Sequence, residues 1–119
     1  MVSIHNIVGT LVVVLFLALT IMNVLRVTGR SVPIARPLSY VAALLLFVQL
    51  ALGIGLLSSG HQITALHYTL ALLAIITVGA EHGYAGRRPT PELQAMAALL
   101  ATGATTILVT AAHIIGSTS

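Results

Sequence analysis

Cysteine, lysine and tryptophan are absent from this chain of 119 residues, and acid is nearly so: Glu81 and Glu92 are its only carboxylate side chains. Without cysteine there is no disulfide, no thiolate metal site and no covalent c-type haem attachment. Charged residues make up 6% of the chain, against about 25% in a water-soluble domain. With 58% hydrophobic residues and a mean hydropathy of +1.09, such a surface suits lipid and not water. The aromatic residues are few (Phe16, Phe47, Tyr40, Tyr68 and Tyr84), too few for full interfacial belts. No nucleophile triad, phosphate loop or dinucleotide fingerprint is present, so an enzyme acting alone is not expected. A channel or secondary transporter is not expected either, because no acid and no helix break falls in mid-span.

What the chain does have is four apolar runs, about 3–27, 35–57, 61–82 and 91–115. Each holds about 20 residues or more, enough to cross a hydrocarbon core of roughly 30 Å. They are rich in Leu and Ala and lack the turns about every ten residues that a barrel needs. The predicted fold is all-α, a single membrane domain of four antiparallel helices joined by short loops. Gly29 reads as a stop for the first helix, and Ser58, Ser59 and Gly60 as a tight turn after the second. The third is expected to start near His61 and to end at Gly83 and Gly86. Thr90, Pro91 and Glu92 predict the fourth: an N-cap, a proline suited to the first helical position, and an acid at the positive helix end. The fourth run is small-sided, with Ala97, Ala98, Ala101, Gly103, Ala104, Ala111 and Ala112. Small faces serve close helix packing. The covering helix comes either from another subunit or from the bundle itself.

All five arginines fall in two loops: Arg26, Arg30 and Arg36 between the first two runs, Arg87 and Arg88 between the last two. This is the positive-inside pattern. It predicts both arginine loops in the cytoplasm and both termini outside, in the inner (plasma) membrane of the cell. The net charge of +3 is therefore topological, and nucleic acid is not an expected partner. No cleavable leader is expected, since the first run lacks a positive n-region and is long enough to span.

Four histidines then gather near the outer side: His5, His61, His67 and His113. An ionisable group inside a membrane is a functional candidate by default, and a neutral imidazole there needs a hydrogen-bond partner or a ligand. His67 and His113 lie on different spans at similar expected depth, as a bis-histidine haem requires. His5 and His61 are placed nearer the interface and are the alternative ligands. His82 lies at the opposite end beside Glu81, and the pair is expected to face Arg87 and Arg88. Without a second inner histidine, His82 does not make a second haem site. The stripe Thr102, Thr106, Thr110 and His113 shares one helix face. Its threonines are expected to bond back to their own helix, with Thr110 able to orient His113. Gln49 and Asn23 read as hydrogen-bonders between helices.

The four-span layout, with HQITALHY in the third run and TAAHIIG in the fourth, resembles membrane b-type haem proteins, and most nearly one half of a heme A synthase. Those enzymes are about twice as long and have an acidic residue near the outer histidines, which this chain lacks. What the resemblance implies is a haem-binding bundle that passes electrons. The expected function is a small cytochrome-like subunit holding haem b near the outer leaflet between His67 and His113. It would pass electrons from quinol to an extracytoplasmic acceptor within a larger membrane complex. Two alternatives stand beside it: a cofactor-free subunit that stabilises a respiratory or photosynthetic complex, and a pigment-binding subunit.

The arginine pattern yields a direct test of orientation. Cysteines introduced at Ser59 and Ser117 are expected to react with an impermeant thiol reagent added outside intact cells, and one at Gly86 is not. Labelling of Gly86 and protection of Ser59 would invert the topology.

Overall fold

The computed structural model describes residues 2–60 and 62–118. They form α1 (Val2–Val27), α2 (Ala35–Ser58), α3 (Ala65–Gly83), a short 3₁₀ turn (Ala85–Arg87) and α4 (Pro91–Thr118). No strand occurs among the described residues. All four helices are long and apolar enough to cross a membrane. The bundle measures 47 × 20 × 20 Å, and its long axis matches a bilayer of about 40–45 Å counted with its headgroups.

The helix ends follow local chemistry. Gly29 and Gly60 adopt φ of +95° and +90°, a left-handed conformation that suits glycine, and α1 and α2 end just before them. Thr90 Oγ1 accepts the Leu93 amide at 3.2 Å, and Pro91 is the first residue of α4. The third helix departs from expectation. It starts at Ala65 and not near His61, because Thr64 is extended and caps it, accepting the His67 amide at 3.3 Å. His67 therefore sits in the first turn of α3, nearer the helix end than a start at His61 would place it.

Each helix has two neighbours in a ring, with α1 diagonal to α3 and α2 diagonal to α4. The closest packing is of α4 on α1 and α3. By comparison, α2 and α3 barely meet. Buried positions explain the arrangement. On α1 they are Gly9, Val12, Phe16, Leu19 and Asn23, and on α4 Ala95, Ala98, Thr102, Thr105, Val109 and Ala112. Both sets step alternately by three and four residues, which keeps one seam facing inward. Of the small residues of α4, Ala98 and Ala112 are thus used within the bundle, where they let α1 and α3 come close, whereas Gly103 faces open space. Large apolar side chains point away: Leu44, Ile76, Leu100 and Ile107 are each at least 65% exposed. In water that surface would drive aggregation, whereas in a bilayer it is the lipid contact.

Hydroxyls reinforce the seam. Thr102, Thr105 and Thr106 bond back to Ala98, Ala101 and Thr102 carbonyls at 2.7–2.8 Å. They also reach across. Asn23 Nδ2 donates to Thr102 Oγ1 at 3.0 Å, Thr20 meets Thr106 at 2.9 Å, and Thr77 meets Thr105 at 2.6 Å. Asn23, Thr102 and Thr105 are almost wholly buried. Thr102→Val keeps the shape and removes the acceptor, leaving the Asn23 amide without a partner in hydrocarbon. The expected loss is about 1–2 kcal/mol in reversible unfolding from mixed micelles, and an unchanged midpoint would show that the bond contributes nothing.

Candidate functional site

At the end of the bundle away from the arginines, α1 to α4 enclose a largely apolar cavity of about 270 Å³. Three imidazoles line it: His5 from α1, His67 from α3 and His113 from α4. Gln49 of α2 joins them, and Val12, Leu46, Ile75 and Val109 form apolar wall below. The expected cluster is therefore assembled for three of its four members. His61 lies outside the described residues.

Glycines let the histidines in. A Cβ on Gly116 would stand 2.8 Å from His67 Cε1, and one on Gly9 would stand 3.0 Å from His113 Nδ1 and 2.9 Å from Gln49 Nε2. At Gly53 it would lie 3.4 Å from His5 Nε2. Each imidazole therefore packs directly on the backbone of a neighbouring helix. His67 Nδ1 lies 2.6 Å from the Ala112 carbonyl. A carbonyl only accepts, so Nδ1 carries the proton and Nε2 of the neutral ring has the lone pair. This is the arrangement of metal-ligating histidines, whose remote nitrogen is fixed by a carbonyl.

The rings of His5 and His67 are 6.2 Å apart between centres and inclined by 55°. They come from diagonal helices, with the cavity beside them. His113 is a turn deeper, next to Gly9, and its Nε2 meets Thr10 Oγ1 at 3.3 Å. Thr10 already donates to the Asn6 carbonyl at 3.0 Å, so His113 is the donor to Thr10. The orienting hydroxyl comes from α1, where the sequence suggested Thr110. Gln49 Oε1 is buried without a hydrogen-bond partner, the more polar side of an otherwise apolar wall. Among the described residues, no three His, Asp or Glu side chains are grouped so as to hold a bare metal ion.

The opposite end holds a smaller and more polar cavity of about 110 Å³. Here the expectation that Glu81 and His82 face Arg87 and Arg88 is not met. Both turn toward α2: Ser39 Oγ donates to Glu81 Oε2 and lies 3.1 Å from His82 Nε2, and Tyr40 packs on His82 with ring centres 4.7 Å apart. Arg88 instead donates to Tyr84 Oη at 2.8 Å and lies over its ring. The 3₁₀ turn carries Arg87 and Arg88 beyond the end of α3, whereas Glu81 and His82 stay on its inner face.

Gly9 and Gly116 carry more of the site than their sequence context suggests. One signal was available: Gly9 follows His5 by one helical turn, so both share a face, and Gly116 stands likewise after Ala112. No protein-family model matches this chain, and no curated protein or solved structure matches it either.

A substitution pair tests the glycine contacts. Gly116→Ala drives a methyl group into His67 and is expected to cost about 1–3 kcal/mol, as overpacking does. Gly103→Ala, where a Cβ meets nothing within 4 Å, is expected to be neutral or to stabilise by up to about 1 kcal/mol through helix propensity. Equal thermal shifts for the two variants in detergent would contradict the packing described.

Proposed function

We propose that this chain is a small membrane cytochrome-like subunit that binds one b-type haem in the three-histidine cavity. A single observation carries the reading: two imidazoles on diagonal helices, His5 and His67, have ring centres 6.2 Å apart. Two imidazoles that each hold one metal at about 2 Å place their ring centres roughly 6 Å apart. Geometry therefore favours His5 as the partner of His67, ahead of the His113 that the sequence suggested. The donor set also fits. His67 offers Nε2 because Nδ1 is committed to Ala112, whereas His5 Nε2 packs on α2 at Gly53, so ligation turns the His5 ring toward His67. The apolar walls lower the local dielectric around any group held there, and a macrocycle brings four nitrogens of its own, so two imidazoles suffice to complete its ligand set.

In this reading the protein holds, orients and insulates, and the haem when bound supplies one-electron redox chemistry. His67 is locked by the α4 carbonyl, and His113, held by Thr10, lines the deep side of the cavity. The quinol donor, the acceptor on the far side and the surrounding complex belong to the proposal, as does placement of the histidine end outside the cytoplasm, which the arginine loops support. The cofactor-free alternative draws on the bonds of His67 to the Ala112 carbonyl and of His113 to Thr10, which satisfy both rings within the protein, and the closeness of His5 to His67 is what favours haem over it.

The test is spectroscopic. Protein purified from cells with ample haem is expected to be red, with a sharp reduced b-type band. His67→Leu and His5→Leu should each abolish the low-spin spectrum without preventing membrane insertion, since ligation and hydropathy are separate properties. His113→Leu and His82→Leu should retain it. Loss in His113→Leu with retention in His5→Leu would restore the pair His67–His113, and a colourless wild-type protein would sink the haem reading.

A further inference from the structure

We propose that the cavity at the arginine end is a headgroup site for a membrane lipid carrying both a phosphate and a primary ammonium. The proposal is independent of the haem reading, because the two cavities lie at opposite ends of the bundle. This one is bounded by Asn23, Arg26, Arg36, Ser39, Glu81 and Gln94. It sits where helices end and loops begin, the level at which lipid headgroups lie.

Its charges are present but not matched to one another. The Glu81 side chain is 9% exposed. Its Oε2 accepts from Ser39, but Oε1 is buried with no hydrogen-bond donor. The nearest cationic group to Oε1 is His82 Nε2 at 3.8 Å, beyond hydrogen-bond reach and charged only when protonated. No arginine among the described residues forms an ion pair with Glu81. Arg26 uses Nη1 on Asn23 Oδ1 at 2.8 Å, and Arg36 is exposed. A carboxylate oxygen shut away from water without a donor is costly, and a ligand that brings one removes the cost. The site thus combines an acceptor on its floor with guanidinium groups at its rim.

A single ligand class answers both halves. A primary ammonium carries three N–H donors and no acceptor, which suits Glu81 Oε1, and the exposed ring of Tyr40 beside it adds a π face. A phosphate accepts the forked donors of arginine. In an ethanolamine phospholipid the two groups are joined by a short link, and the acyl chains follow the apolar flanks of α2 and α3. A trimethylated choline headgroup offers no N–H to Glu81, and a glycerol headgroup offers no positive charge, so the site should discriminate among all three.

The experiment compares phosphatidylethanolamine, phosphatidylcholine and phosphatidylglycerol binding to the delipidated full chain by native mass spectrometry in mild detergent. The wild type is expected to bind the ethanolamine lipid about tenfold more tightly than the choline lipid. Glu81→Gln should shrink that preference to within about twofold while binding persists, and Arg36→Gln should weaken both lipids several-fold. The comparison within the wild type needs no variant, so misfolding of Glu81→Gln would not shield the idea. Equal affinity for the ethanolamine and choline lipids would overturn it. So would tightest binding of the glycerol lipid with no effect of Glu81→Gln, which would mark a site for phosphate alone. Soluble phosphoethanolamine binding as tightly as the lipid would overturn the membrane source.

Discussion

Hydrocarbon offers a polar group no partner, so every hydroxyl and amide within the span must find one inside the protein. α4 is where this chain meets that demand. Its inward seam carries alanines toward both ends and Thr102 and Thr105 in the middle, the first allowing close approach and the second supplying hydrogen bonds at that short range. Thr102 and Thr106 reach toward α1, and Thr105 toward α3. Lipid chains are as apolar as leucine, so helices gain little from hydrophobic burial alone. Interlocking of this kind at close distance is what remains to define which helices are neighbours, and both end cavities depend on it.

The two ends are built on different chemistry around that common middle. At one end, imidazoles rest on glycine and backbone, in largely apolar surroundings that include the unpartnered Gln49 amide oxygen. At the other, a carboxyl, two guanidinium groups and an aromatic pair crowd the ends of α1, α2 and α3. Neither grouping is contributed by one segment of sequence. His5, His67 and His113 are brought together only because α1, α3 and α4 present their ends at one level.

Much of the fold was legible in the sequence, because length and hydropathy act residue by residue. Thr90 and Pro91, and Gly29 and Gly60, marked helix ends through local chemistry that does not depend on neighbours. The start of α3 was harder. Thr64 caps it from within a stretch that has no proline or glycine to punctuate it, and His61 looked equally suitable. Rotation about each helix axis was hardest to read. α1 is apolar on nearly every face, so periodicity does not say which side turns inward, and only Asn23 and the threonines betray it. The gathering of His5, His67 and His113 at the end away from the arginines was foreseeable from their places along the spans, whereas the nearness of His5 to His67 and the turn of Glu81 toward Ser39 were not. Those depend on which helices are adjacent and at what angle, facts that belong to the assembled bundle.

The sparse seam between α2 and α3 has a consequence for how the molecule is made. Helices enter a membrane in the order of synthesis, and the first hairpin can form as soon as α2 is in place. α3 then arrives with almost nothing to hold it, since its extensive partner is α4, which is still to come. For that interval it is an unattached helix in lipid, with Thr77 bonded only within its own backbone and its inner face open to any small-faced passer-by. The helix made after the others is thus the one that closes the ring, and the biogenesis of this protein carries a window of vulnerability that ends only when α4 is inserted.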